Sequence, residues 1–306
     1  MFDQVARPVD PWWSVPGPMP WAEARLRAHR AARPLHPHRL RVGDALGAVL
    51  AAPLVAAMPL PDADCAATDG YAVCERDPWR LRWTVGAGRL LSGEAVLTVA
   101  GASVPGALSD AVAPMLPGPI AAAGGVVTDA VRAPDGCAGL AAAIDAADAE
   151  LVLVRGSASA PRTDRLREAL AAVGAPPIVD GVWCRPGGSQ VLAVLGDGRI
   201  VAGLPGDPLA ALTALLTLAA PVLAGLQGRP LPDLQRRYAS RMPADPAGWT
   251  RLVPARLRDS VAEPVGHHGP AMLRGAASAE ALAVIDPSAA PAGPQLTTAR
   301  ILPIPA

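Results

Sequence analysis

Gly203, Pro205, Gly206, Asp207 and Pro208 crowd into one short turn between the apolar run Ile200–Ala202 and an uncharged, helix-forming run that begins at Leu209. The order reads as strand, tight loop, helix. Pro208 suits the first helical position, where a missing N–H costs nothing, and Asp207 ahead of it suits the N-cap. Glycines let backbone approach a ligand, and a helix N-terminus turns free N–H groups toward an anion. The chemistry this stretch can do is to hold an oxyanion. An ordinary strand-to-helix connection with a proline cap would use the same residues.

A second stretch, Met58–Val73, reads MPLPDADCAATDGYAV. Pro59 and Pro61 hold it extended, Asp69-Gly70 is a turn signal, and Tyr71-Ala72-Val73 opens a strand. A carboxylate at the mouth of a strand can bind a cation or take a proton; it can equally well close an Asx-turn. A third, Gly156–Pro161, is a loop of small polar residues, GSASAP. The cysteines, Cys65, Cys74, Cys137 and Cys184, match no zinc or CxxC spacing, and no HExxH pattern occurs. His267 and His268 are adjacent and share no face in either period, so they read as a surface turn.

Composition narrows the classes. Lysine plus arginine equals aspartate plus glutamate at 27 each, which argues against a nucleic-acid tract or a basic membrane face. With 3% aromatic residues and one Phe, the core must be built from Ala, Val and Leu, while 35 Pro and 30 Gly imply many rigid turns. Widely spaced thiols read as reduced, and no basic-then-apolar leader opens the chain, so a cytoplasmic location is expected. Leu209–Leu226 is uncharged and approaches spanning length. Pro221 interrupts it, so the expectation is a buried helix ending near Ala220 and a second short helix, with no membrane role.

The elements that must position these residues follow in order. Residues 1–20, rich in Pro and Trp, read as an irregular arm. Residues 21–125 read as a helical segment, with helices at Trp21–Ala31 and from Val42, followed by a β-rich lobe that includes the runs LRWTV and AVLTVA. Over residues 126–228 short apolar strands alternate with helices at Gly139–Ala147 and Thr163–Val173, the latter ended by Gly174. That alternation implies a parallel-sheet, three-layer α/β domain, with the loops Arg155–Asp164 and Gly203–Pro208 at the same edge. Residues 229–306, beyond a linker around Gly228–Pro232, read as a small β-domain. The fold class expected is multidomain α/β.

Four stretches resemble the molybdopterin molybdenumtransferases, the family to which the C-terminal region of gephyrin belongs. Gly43–Val73 resembles the N-terminal signature ending in DGYAV, and Val99–Val112 the TGAPVPxGADAVV loop. Gly203–Leu212, GLPGDPLAAL, resembles GLPGNPVS, and Arg185-Pro186-Gly187 resembles KPGKP. The C-terminal GPAMLRGAASAEALAVID is similar to the family's last domain. The resemblance implies a molybdopterin-binding α/β domain and insertion of molybdate into adenylylated molybdopterin, with Mg²⁺, to give molybdenum cofactor and AMP. It implies that Asp69 and Asp164 are catalytic and metal-binding. It assigns Gly70, Gly156, Ser157, Ser159, Arg185, Pro205, Gly206 and Asp207 to the pterin and its phosphates. It also implies a homodimer, with a molybdopterin adenylyltransferase or molybdoenzymes as further partners.

The chain departs from the family pattern at several places. Cys65-Ala66 replaces Asn-Ser, Thr68 replaces Met, and Ala100 replaces the Thr of TGAP. Gly188 stands for the second Lys of KPGKP, Asp207 for the Asn of LPGNP and Ala210 for the Ser that follows it; the TGDEL strand and loop has no counterpart. Three readings stand open: a transferase, a non-catalytic carrier of molybdopterin or its cofactor, and a partner-binding relative with a dead pocket.

Overall fold

The computed structural model describes residues 18–41, 45, 48–53, 55, 94–100, 112–133, 136–155, 165–266, 269, 272–289, 291–293 and 295–305. The arm over residues 1–17, the Asp69-Gly70 turn, residues 156–164 and the His267-His268 pair lie outside them. Residues 36–92 form one unit, and residues 1–35 with 93–306 form another. In the first, Ala45 and residues 48–51 are not helical, against the expectation of a helix from Val42. Val49 and Leu50 are exposed, so that stripe has no buried face to hold a short helix.

The second unit opens with α1 (Trp21–Ala31), whose Trp21, Ala24, Arg25 and Ala28 are buried. A parallel core of strands follows: β1 (Glu94–Ala100), β2 (Gly125–Arg132), β3 (Leu151–Arg155) and β7 (Ile200–Leu204). The sheet order is β2-β1-β3-β7-β6-β4, with β4 (Pro177–Asp180) and β6 (Val191–Val194) antiparallel to their neighbours. The sheet is therefore mostly parallel, as the alternation implied, with an antiparallel edge formed by β6 and β4. The connections from β4 through β6 to β7 hold only turns and the two-residue strand β5 (Cys184–Arg185), with no crossover helix to return the chain in the same direction. The run AVLTVA is corrected. It lies in the middle of this sheet, between β2 and β3, rather than in a β-rich lobe.

Two helical layers cover the sheet, because its central strands are apolar on both faces. On β3, Leu151 and Leu153 join the core that contains α1, while Val152 and Val154 join the core under α4 (Cys137–Asp145) and α5 (Arg165–Ala172). On β7, Ile200, Ala202 and Leu204 face the first core and Val201 the second. The short helices α2 (Val112–Met115) and α3 (Pro117–Ala122) add Val112 and Ile120 to the first core.

The main element of that layer is α6, Pro208–Leu226, one continuous helix rather than two. Its middle, Leu215–Ala219, is π-helical, and the Ala220 N–H donates to the Leu215 carbonyl five residues back. Pro221 has no N–H and its ring crowds the preceding turn; the wider π turn makes room, so the helix continues where a break is the usual result. The helix is long and apolar enough to cross a membrane, but 94% of its most apolar window is buried inside the protein. There Trp21 Nε1 donates to Thr217 Oγ1 at 2.9 Å. Burying a Trp removes roughly 150–250 Å² from water, about 4–6 kcal/mol as an upper estimate, against about 1 kcal/mol for the hydrogen bond. Burial thus holds the two helices together, and the bond sets their register.

The C-terminal region contains β8 (Arg236–Ser240), β9 (Thr250–Arg258), β10 (Val261–Pro264), β11 (Ala281–Ile285), β12 (Pro291–Gly293) and β13 (Leu296–Pro303), with α7 (Leu273–Ala277) between β10 and β11. The order is β10-β8-β13-β11-β9, and β10 also pairs with β9, so five strands close into a small barrel. Its interior is mostly alanine, with Ala239, Ala255, Ala262, Ala281, Ala283 and Ala299, because so few strands leave little room inside. The alternate residues Leu282 and Val284 point outward into the α1–α6 core, so the barrel packs directly on the α/β layer.

At Gly225 on α6, an added Cβ would stand 2.6 Å from the His29 carbonyl and 2.7 Å from Ala32 Cβ. Gly225→Ala is expected to lower stability by about 1–3 kcal/mol, measured by urea unfolding, because α1 must shift its backbone. An unchanged midpoint would mean that the two helices do not approach as closely as described.

Candidate functional site

The carboxyl ends of β1, β3 and β7 lie level: Ala100 pairs with Arg155, and Arg155 with Leu204. The chain leaves that edge after Leu204 as Pro205, Gly206 and Asp207, then enters α6 at Pro208. Pro205 is buried, whereas Gly206 and Asp207 are exposed. Asp207 occupies the N-cap position in extended backbone, but its carboxylate makes no cap hydrogen bond, contrary to expectation. The first-turn N–H groups of α6 therefore have no acceptor from that side chain.

A second turn faces this loop. β5 pairs in parallel with β9, so it belongs to the barrel's sheet although β4 and β6 on either side of it belong to the α/β sheet. The chain crosses from one sheet to the other and back within residues 181–190. The Pro186–Ser189 turn, the Pro205–Asp207 loop and Ala210 together line a cavity of about 180 Å³. Ligand pockets for whole small molecules run roughly 300–1,000 Å³, so this one fits a phosphate-sized group, with the remainder of a larger ligand outside.

Two glycines make the approach possible. At Gly187, with φ +96, a Cβ would meet the Ala210 carbonyl at 3.1 Å and Thr213 Cγ2 at 3.2 Å. At Gly188 a Cβ would meet the Cys184 carbonyl at 3.2 Å and the Trp249 ring at 3.3 Å. A lysine in place of Gly188, as in KPGKP, would not fit this arrangement unaltered.

Gln190 holds the turn from beneath. It is fully buried, and its Nε2 donates to the Gly187 carbonyl at 2.8 Å and to Cys184 Sγ at 3.4 Å. Burial pushes the Cys184 thiol up to about 12, although the bond from Gln190 pulls the other way. Cys184 is thus a packed, inert thiol at neutral pH. From the other side, Met19 bridges Val182, and the Trp183 N–H donates to the Met19 carbonyl at 2.8 Å.

Of the residues singled out from the sequence, Pro205, Gly206 and Asp207 come together in this cavity. Arg185 heads the facing turn but does not line it. Its guanidinium lies 4.6 Å from the Trp249 ring centroid and 3.7 Å from Asp245 Oδ2, with the side chain more than half exposed. Asp69, Gly70, Gly156, Ser157, Ser159 and Asp164 lie outside the described residues, though residue 156 follows directly from Arg155 at the same sheet edge. No group of three His, Cys, Asp or Glu that could hold a metal occurs among the described residues, and Asp207 is the one carboxylate lining the cavity. Sequence reasoning missed Gln190 and Ser189. The one signal for Gln190 was an amide immediately before the apolar strand Val191–Val194.

Comparison with known proteins bears on what this cavity serves. The family described as "Probable molybdopterin binding domain" matches residues 90–225. "MoeA N-terminal region (domain I and II)" matches residues 19–116, and "MoeA C-terminal region (domain IV)" matches residues 236–294. Among solved structures, a molybdenum cofactor biosynthesis protein from Pyrococcus furiosus is similar with a TM-score of 0.63 at 18% identity, over 92% of this chain and 98% of that one. A molybdopterin biosynthesis moeA protein from Pyrococcus horikoshii is similar with a TM-score of 0.53 at 12% identity, over 70% of this chain. The chain spans only 55% of that structure's length. At such identities these likenesses speak to the fold. No curated protein sequence matches.

Replacing Gln190 by Leu removes the 2.8 Å side-chain bond to the buried Gly187 carbonyl and leaves it only the long 3.4 Å bond from the residue-190 N–H. The expected loss is about 1–3 kcal/mol in urea unfolding. Cys184, mapped by mass spectrometry after alkylation at pH 8, is expected to stay unmodified in the native wild type and to react only on unfolding. Ready alkylation of native Cys184 would contradict the burial described.

Proposed function

The chain belongs to the MoeA family, the molybdopterin molybdenumtransferases, by a domain architecture matched in series from residue 19 to 294, and on that premise we propose that the cavity binds the phosphate of molybdopterin. The observation that carries this reading is the convergence of the Pro186–Ser189 turn and the Pro205–Asp207 loop on a phosphate-sized space at the start of a buried helix. Small-residue backbone and first-turn N–H groups can hold a phosphate without side-chain charge.

The proposed reaction is transfer of molybdate into adenylylated molybdopterin, which yields molybdenum cofactor and AMP. Asp69 and Asp164 are the proposed carboxylates at the phosphoanhydride, and Mg²⁺, if it takes part, falls to those two. Gly70, Gly156, Ser157 and Ser159 are the further residues proposed to bind the pterin. Arg185, turned toward Trp249, is a proposed clamp for the part of the ligand beyond the cavity. A homodimer is also proposed, after the family pattern; light scattering that gave a monomer mass at micromolar concentration would remove it.

The departures from the family pattern, Ala100, Gly188, Asp207 and the lack of a TGDEL counterpart, favour a second reading, binding without turnover or a dead pocket. Asp207 places a carboxylate on the cavity wall, where the family pattern has a neutral amide. At about 4 Å, like charges cost about 1 kcal/mol in water and more in a partly enclosed site.

The decisive assay incubates purified protein with adenylylated molybdopterin, molybdate and Mg²⁺ and measures AMP. The transferase reading expects AMP release, cut by about one to several orders of magnitude in Asp69→Asn with binding largely kept. Tight binding with no AMP, and no change in Asp69→Asn, would leave the carrier reading. Asp207→Asn is expected to tighten molybdopterin binding by about tenfold, and Arg185→Ala to weaken it by about 1–3 kcal/mol. Affinity unchanged in both variants, or no binding at all, would remove the cavity from the proposal.

A further inference from the structure

A second cavity, about 430 Å³, lies away from the loop pocket, where α1, the segment Leu231–Leu234, the start of β8 and the middle of β13 meet. Arg25, Arg236 and Arg300 line it, and Asp233 is the one acidic residue on its wall. Arg25 is 8% exposed. Among the described residues its one hydrogen bond is long, 3.5 Å from Nη1 to the Pro232 carbonyl, and it has no ion-pair partner there. Arg300 donates one Nη2 bond to Asp286 Oδ1 at 2.5 Å. The Nε atoms of both Arg25 and Arg300 are buried and meet no acceptor. Both guanidiniums lie near the buried Trp21 ring, at 5.7 Å and 5.0 Å from its centroid.

This is an expensive arrangement for stability alone. Two guanidiniums beside one indole repel each other, and burial with the Arg300 charge lowers the Arg25 pKa from 12.5 to about 10. A cation–π contact returns less than an uncompensated buried charge costs. An apolar side chain at position 25 would pack against Trp21 without that cost. Asp233 on the wall and Asp286 on Arg300 are two carboxylates against three guanidiniums, so one positive charge is left over.

We propose that this cavity is a binding site for a phosphoryl group or another tetrahedral dianion, held by Arg25, Arg236 and Arg300. Guanidinium forks pair with such oxyanions through two bonds each, and three forks around one cavity exceed what a single planar carboxylate can accept. The site is independent of the loop cavity and of the molybdopterin reading, since it shares no residue with either.

The test is isothermal titration of the full chain with inorganic phosphate and, separately, glycerol phosphate, in chloride buffer of constant ionic strength. Saturable binding at one site per chain is expected, weakened about tenfold in Arg236→Ala and at least as much in Arg25→Gln. Binding of the monoester as well as inorganic phosphate would identify a phosphorylated metabolite as the natural class; binding of inorganic phosphate alone would identify the free anion. Arg236 is exposed, so its replacement tests the site even if Arg25→Gln does not fold. Absence of saturable binding, or binding unchanged in Arg236→Ala and in a folded Arg25→Gln, would overturn the proposal.

Discussion

The structure depends on the burial of α6. A helix apolar all round can exist in water only if it is covered on every side. The α/β sheet covers one side through Leu151, Leu153, Ile200 and Leu204; α1 covers another through Trp21, Ala24 and Ala28; the outer face of the barrel supplies Leu282 and Val284. The three parts of the chain are thus fastened to one helix. The Trp21–Thr217 bond joins residues 196 positions apart and sits beside the π turn that Pro221 requires. Sliding α6 along its axis would strand the indole N–H and drive Gly225 into the α1 backbone.

That constraint reaches the cavity. Its floor is the first turn of α6, and the approach of the facing turn depends on Gly187 passing the Ala210 carbonyl. Neither turn belongs to the same sheet as the other, yet Gln190 ties the Gly187 carbonyl to the interior while β5 ties Cys184 and Arg185 to β9. The cavity therefore sits at a seam between two sheets, a place where backbone groups can converge without ending a strand ladder.

The departures from the family pattern gain physical content here. Gly188 is packed against the Cys184 carbonyl and Trp249, so the missing lysine is matched by a tighter turn rather than by an empty space. Arg185 lies over Trp249 within reach of Asp245, held outside the cavity mouth. Asp207 adds negative charge at the wall. On the proposed reading, these leave backbone N–H groups as the principal means of holding a phosphate, with Arg185 at the margin.

Much was legible in the order of residues alone. Short apolar runs separated by turn residues marked β3, β4, β6 and β7, and Gly203–Pro208 marked the loop ahead of α6, because periodicity and turn chemistry act over a few neighbours. The four family-like stretches, in order, pointed to the architecture. Tertiary structure decided the rest. The antiparallel edge, the place of Glu94–Ala100 inside the sheet, the closure of β10 on β9 and the π turn all depend on pairings or packing between distant segments. Gln190 under Gly187, Arg185 over Trp249, and the Arg25–Trp21–Arg300 cluster have no local signature either. Each is a contact between side chains brought together by burial, and spacing along the chain does not encode which faces will meet.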